Sequence, residues 1–312
     1  MKHTDTFTSY TKTHIYYDIY TPIAMIRHKA IVQIHHGIGE YKDRYTRFAE
    51  FLALQGYVVV VSDFPGHGTS LHNARPGSFG PGKAEKTLVA DMRRLHMIIS
   101  QQYPDLSYFM LANQFGSYVL RQYMCLYGET IQGAILMGTM GKSNAFYIDW
   151  LRMHLCTLLQ GKNSYSSWLF HRLNRRWNLP FLPLKTNIDY LTSDGQERRR
   201  YQKDPLTQLL YTNQSYKDIM HVVSRMKQLE KKYRQPSHLP IFILSGKRDV
   251  FGNMGKGPTW LYKQYVNHVV QDVTLKLYED CRADILHEVK RKEVYRDILD
   301  WLNERAKNQE PL

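Results

Sequence analysis

The chain has 312 residues, a net charge of +14, 43% hydrophobic and 13% aromatic residues. That is enough apolar material for one large packed core, which excludes a disordered or low-complexity protein. Three widely spaced cysteines (Cys125, Cys156, Cys281) supply neither a disulfide framework nor a metal motif such as C-x-x-C, and point to a reducing compartment.

The opening MKHTDTFTSYTK lacks the apolar stretch of a signal peptide, and the longest aliphatic run, Val58–Val61, is far too short to cross a bilayer. A cytoplasmic protein is expected. The charge is uneven: between Gly141 and Gln235, 17 Lys/Arg stand against 7 Asp/Glu. Runs such as Arg198–Arg200 and Lys227–Arg234 read either as solvated helix faces or as a basic surface for anionic lipid. Weak contact with an anionic membrane surface is expected, and nucleic acid is not.

In chain order, Ile15–Ile19 alternates as a half-buried strand does, and Ala30–Ile34 is a short buried strand running into His35-His36-Gly37-Ile38-Gly39-Glu40. Tyr45, Phe48, Phe51 and Leu52 mark a helix ending at Gly56. Tyr57–Val61 is β-branched after its tyrosine and reads as buried on both faces. A glycine-rich loop, Asp63–Ser70, follows. Leu88, Met92, Leu95 and Ile99 mark a second helix, stopped before Pro104.

The apolar run Phe109-Met110-Leu111 then enters a sharp corner at Asn113–Phe115, and a helix leaves through Gly116 with Val119, Leu120 and Tyr123 on one face. Ile131–Met137 is a further strand. The rhythm breaks from 141 to 235, a Trp-, Tyr-, Leu- and Arg-rich stretch of short helices. Pro240–Ser245 (strand), Thr259–Val266 (helix), Val273–Tyr278 (strand) and a last helix from about Val289 to Leu302 resume it. Strands alternating with helices predict an α/β fold with a doubly wound, mostly parallel sheet. Residues 1–140 and 236–312 form its expected core, and 141–235 an inserted helical lid.

With these pieces placed, the chain resembles the monoacylglycerol lipase and lysophospholipase branch (serine aminopeptidase-like) of the α/β-hydrolases. HHGIGEYKDRY (His35–Tyr45) is similar to that branch's oxyanion loop, and DFPGHGTS (Asp63–Ser70) to its second signature loop. DYLTSDGQERRRYQKDPL (Asp189–Leu206) resembles its lid segment and SGKRDVFGNMGKG (Ser245–Gly257) its acid loop. Strand, corner and helix at Tyr108–Leu120 resemble the nucleophile elbow, where G-x-S-x-G aims a serine out of the turn.

The resemblance implies a serine, an acid and a histidine acting together. Gln114 stands at the nucleophile position, flanked by Ala112 and Gly116, and a carboxamide offers no nucleophilic oxygen. Asp249 matches the acid. CRADILHE (Cys281–Glu288) resembles the family's R-H-E-I-L-N-E, which puts Ala283 at the histidine position.

Substitutes are weighed in turn. His287 lies roughly one helical turn, ~6 Å, beyond Ala283 and reads as a surface residue. Ser117 sits inside the helix, its hydroxyl expected on a helix carbonyl. His36 and His67 read as loop-bracing groups, and Cys281 lacks a placed base. The backbone N–H groups of Ile38 and Phe115 are the implied oxyanion hole. His36, Gly37 and Gly116 are expected around the pocket, with Asp249 either solvated or paired with a basic group, for which Arg248 and Arg282 are the candidates.

The favoured reading is a catalytically inactive pseudoenzyme binding an acyl or lipid-like ligand or a partner. Its alternatives are an ester hydrolase with a rearranged triad, and a basic membrane-surface-binding protein. No cofactor or metal is implied. Several of Tyr147, Trp150, Tyr165, Trp168, Phe170 and Trp177 are expected to cover an apolar pocket beside Gln114.

Overall fold

All six residues of the segment Tyr57–Ser62 (YVVVVS) are buried, as a strand must be when helices cover both faces of its sheet. Its neighbours behave alike in the computed structural model, which describes residues 1–23, 26–71, 75–141, 155–165, 167–207 and 209–306. The strands are β1 (Lys2–Thr8), β2 (His14–Tyr20), β3 (Ala30–His35), β4 (Tyr57–Ser62), β5 (Tyr108–Asn113), β6 (Gly133–Met137), β7 (Ile241–Gly246) and β8 (Val273–Tyr278). They form one sheet in the order β1-β2-β4-β3-β5-β6-β7-β8. β2 runs antiparallel to both its neighbours, and every pairing from β4 to β8 is parallel. β1 carries no sequence signal, because as an edge strand it buries only Phe7 and leaves polar residues in water.

The longer helices are α1 (Thr46–Leu54), α2 (Ala84–Gln102), α3 (Phe115–Tyr127), α4 (Ser167–Asn178), α5 (Gly195–Lys203), α6 (Asn213–Lys232), α7 (Lys256–Asn267) and α8 (Arg291–Ala306). α1 and α8 pack Phe48, Leu52, Val294, Ile298 and Trp301 against one face of the sheet. The opposite face receives Leu88, Met92 and Leu95 of α2 and Val119 and Leu120 of α3. Each such side chain is worth roughly 1.5–3 kcal/mol when fully buried, an upper figure for a chain already compact when unfolded.

The stretch expected as a helical lid, 141–235, includes residues that pack in the core. Its last helix, α6, is a core element: Val222, Val223 and Met226 belong to the same buried cluster as α2 and α3. Thr212 caps it by accepting from the Ser215 amide at 3.1 Å. Arg121 of α3, 1% exposed, reaches across to Glu230 through two bonds of 2.8 and 2.7 Å and donates to the Met140 carbonyl at 2.6 Å. A lid-like composition hid this, because α6 has a charged outer face as well as its apolar stripe.

Candidate functional site

β5 ends at Asn113 and α3 begins at Phe115, so Gln114 alone makes the corner. Its backbone adopts φ 43° and ψ −111°, a region that costs a non-glycine residue of order 1–3 kcal/mol. The corner is held from both sides. The Gln114 amide donates to the Met137 carbonyl at 2.8 Å. The Gln114 carbonyl accepts from the Ser117 amide at 3.0 Å and from the Ser117 hydroxyl at 2.5 Å. Ser117 is thereby committed to the helix backbone. At Gly116 an added Cβ would come within 2.6 Å of the His36 carbonyl oxygen, so only glycine lets α3 start this close to β3.

The loop after β3 is fastened to this corner. Glu40 accepts from the Gly37 amide (2.9 Å), the Tyr45 hydroxyl (2.8 Å) and the Asn113 side chain (3.3 Å). Burial, then the charge of Asp284, raises the Glu40 carboxyl above its usual range, with Arg44 opposing. His36 donates from Nδ1 to the Gly37 carbonyl (2.7 Å) and accepts the Phe64 amide at Nε2 (2.9 Å). His67 donates to the Pro65 carbonyl (3.0 Å) and meets the Tyr211 hydroxyl (2.8 Å), which itself accepts from the Gly39 amide (2.9 Å). Burial pushes His67 down to about 4 and His36 well below its ordinary value, so both rings are neutral. Each ring nitrogen is engaged in holding loops.

The three positions aligned with a triad converge on Gly138, whose φ is +55°. A Cβ built there would lie 3.2 Å from Gln114 Cγ, 3.4 Å from Asp249 Oδ2 and 3.5 Å from the Ala283 carbonyl oxygen. Asp249 is fully buried, so it is not solvated, and it is not paired with Arg248 or Arg282 either. Its oxygens accept from the Ser245 hydroxyl (3.1 Å), the Phe251 amide (2.8 Å) and the Gly252 amide. The two guanidinium groups lie instead over the Phe181 ring, at 5.3 and 4.3 Å. Desolvation lifts the Asp249 carboxyl to about 6, and those three donors only partly offset it.

His287 is buried, not a surface residue: Nδ1 meets Asp284 Oδ1 at 2.8 Å and Nε2 donates to the Arg44 carbonyl at 2.9 Å. Asp284 also accepts from Arg44 at 2.6 Å, and against the raising effect of burial its contacts with His287 and Arg44 hold it down at about 2. This network ties the loop before α8 to the loop before α1. Burial and the charge of Glu288 push the Cys281 thiol up to about 12, so it carries no thiolate at neutral pH.

Above the corner lies a cavity of about 280 Å³, apolar for most of its wall. Ile38, Gln114 and Phe115 lie on it, and neither the Ile38 nor the Phe115 amide bonds to a protein acceptor among the described residues. His36, Gly37 and Gly116 do not line it; backbone packing puts them behind the wall, where Gly37 backs the Gln114 side chain. The Gln114 Oε1 would sit 2.9 Å from a Cβ at Gly37, while its Nε2 is buried with no hydrogen-bond partner among the described residues. Of the aromatic residues expected to cover the cavity, Trp177 does so. Tyr165 and Trp168 are exposed, Phe170 packs edge-on to His171, and Tyr147 and Trp150 lie outside the described residues.

Sequence reasoning missed Tyr118, Tyr190 and Tyr216 on the wall, and the α6 face of Ile219, Met220 and Val223. The helical spacing of that last trio was the available signal.

A family model described as serine aminopeptidase, S33 (Hydrolase_4) matches residues 26–290. A monoglyceride lipase homolog of monkeypox virus is 21% identical, over 94% of this chain and 96% of its own. An uncharacterized abhydrolase domain-containing protein of Dictyostelium discoideum is 22% identical over 90% of this chain. The match takes in 27% of that relative, so the chain spans about a quarter of its length. A thermostable carboxyl esterase from Bacillus coagulans, solved with glycerol, superposes with a TM-score of 0.88 at 25% identity, covering 98% and 99% of the two chains. A soluble variant of the Saccharomyces cerevisiae monoglyceride lipase gives 0.75 at 18%, covering 97% and 94%.

Proposed function

The chain belongs to the serine aminopeptidase S33 family, with the α/β-hydrolase fold and a likeness to monoacylglycerol lipases, and from that footing we propose that it binds an acyl lipid without cleaving it. The observation carrying this reading is the Gln114 side chain. At the corner where the family aims a nucleophile, Gln114 lines an apolar cavity, and its Nε2 is buried with no partner among the described residues. A buried donor of this kind costs about 1–3 kcal/mol, and a side-chain rotation that presents it to a ligand carbonyl oxygen in the cavity relieves that cost. The amides of Ile38 and Phe115 supply further donors. The viral relative's name points to monoacylglycerols as the class to try first.

A rearranged triad finds no support, because Ser117, His36, His67 and His287 are each committed to structural bonds. The test pairs two measurements on purified protein. Titration with monoacylglycerols should show saturable binding that Gln114→Leu weakens about tenfold. An active-site serine probe should leave the wild type unlabelled. Labelling, or hydrolysis that survives dialysis and chromatography, would refute the inactive reading.

A second reading concerns the described residues between 155 and 182, where Leu158 (80% exposed), Leu159 (77%), Trp168 (54%) and Leu182 (64%) are exposed, as are Arg172 and Arg175. This composition suits the interface of an anionic bilayer. Co-sedimentation with phosphatidylserine vesicles at low salt, weakening as salt rises, is the expected result. Its absence at low salt would dispose of the idea.

A further inference from the structure

A second cavity, of about 340 Å³, is lined by residues of α6, α7 and the turn after α6. Buried polar groups tie its two sides together. The Tyr265 hydroxyl of α7 donates to Glu230 of α6 at 3.1 Å, and the Gln235 side chain donates to the same carboxylate at 3.4 Å. Glu230 is the one acid on this wall among the described residues. Arg121 binds it through two contacts of 2.8 and 2.7 Å, so its charge is already matched.

What remains is cationic. Lys227 and Lys231, four residues apart, share one side of α6, and Arg234 follows just past the helix end; all three line the recess. Lys231 and Arg234 are exposed, and neither pairs with a carboxylate among the described residues. Trp260, 38% exposed, and His268 lie on the wall contributed by α7 and its end.

Cations in the last turn of a helix complement its dipole. That accounts for Lys231 and Lys232, but not for Lys227, one turn further in and half-buried, nor for Arg234 beyond the helix. Burial, and after it the charge of Arg121, lowers the Lys227 ammonium from its ordinary value, with Glu230 opposing. The fold therefore gathers like charges in one recess, at a cost that a bound anion offsets.

From this arrangement we infer that the recess between α6 and α7 binds the phosphate group of a phosphomonoester. Such a group carries close to two negative charges at neutral pH and three acceptor oxygens. Two ammonium groups and the planar fork of a guanidinium match that demand. Trp260 adds aromatic surface for the organic part of the ester. A recess of this size takes a single phosphate group, whereas a nucleic-acid backbone needs a continuous basic track. The phosphate can arrive on a soluble ester or on a phosphatidate head group, and experiment separates the two.

Glycerol 3-phosphate is titrated calorimetrically into the full-length protein at pH 7.5 and low salt. Phosphatidate vesicles are assayed in parallel by co-sedimentation, against phosphatidylcholine vesicles. Saturable binding of glycerol 3-phosphate assigns a soluble ester, binding confined to phosphatidate vesicles assigns the lipid head group, and either sustains the site. Lys231→Gln and Arg234→Gln should each weaken the binding about tenfold through the loss of charge-assisted hydrogen bonds. Both positions are exposed, and a thermal transition checks that each variant is folded. Lys232→Gln removes the same charge from an exposed neighbour that does not line the recess, and should change the affinity less than about twofold. Binding of neither probe overturns the assignment. So does an equal loss in Lys232→Gln and Lys231→Gln, which would reduce the effect to overall charge.

Discussion

Replacing Gln114 by serine and Ala283 by histidine together should convert the protein into a weak esterase, whereas either change alone should not. Serine without a base stays protonated at neutral pH, and an imidazole at 283 without serine has nothing to activate. The structure adds a steric reason for the same coupling. Ala283 is fully buried, and its carbonyl and Gln114 Cγ approach the same point above Gly138. Serine, shorter than glutamine, frees space at that point for a larger group. The remaining parts are in place: the corner keeps its strained backbone, Asp249 is within reach, and the Ile38 and Phe115 amides need no repair.

Triad removal costs about 10⁶-fold in a comparable hydrolase, and a misplacement of ~1 Å costs about 10²-fold. The double variant should therefore reach on the order of 10³- to 10⁴-fold over the wild type, with each single variant within about tenfold of it. Initial rates on p-nitrophenyl butyrate at pH 8, with an acyl-enzyme burst, measure this. A single variant as active as the double, or wild-type esterase activity that survives Gln114→Ala, would show that the reacting position lies elsewhere.

Stability offers further checks. Arg121→Ala strands Glu230 at the α3–α6 contact and should cost about 3–5 kcal/mol in denaturant melts, with Glu230→Gln milder because the amide can still accept. Asp249 has a folded pKa of about 6, above the usual ~3.9 of an unfolded aspartate. The folded state thus holds that proton more tightly, and the resulting stability is present below pH 4 and lost as pH rises through 6. Asp249→Asn should be more stable than the wild type by about 3 kcal/mol above pH 7, the gap closing towards pH 4. A gap independent of pH would contradict the burial argument. Gly138→Ala, at φ +55° and with its methyl 3.2 Å from Gln114 Cγ, should both destabilise the fold and weaken ligand binding; unchanged binding would mean that Gln114 does not form the floor.

The alternating strands and helices, the corner at Asn113–Phe115 and the residue types standing at its motif positions were legible from residue order alone. Those features are local: a β-branched run, a glycine beside a close approach, or a residue type at a motif position declares itself within a few residues. What stayed illegible depends on distance across the fold. Nothing in SGKRDVFGNMGKG says that Asp249 takes a serine hydroxyl and two amides while Arg248 turns to Phe181. The spacing of CRADILHE does not reveal that His287 is buried against Asp284 and Arg44. α6 looked like part of an insertion because its charges are as visible in sequence as its apolar stripe, and only packing against α2 and α3 decides which face counts. Burial decides the rest: the same carboxylate, histidine or glutamine amide is unremarkable in water. It becomes a raised acid, a neutral brace or an unpaired donor only once neighbours distant in sequence have removed the solvent around it.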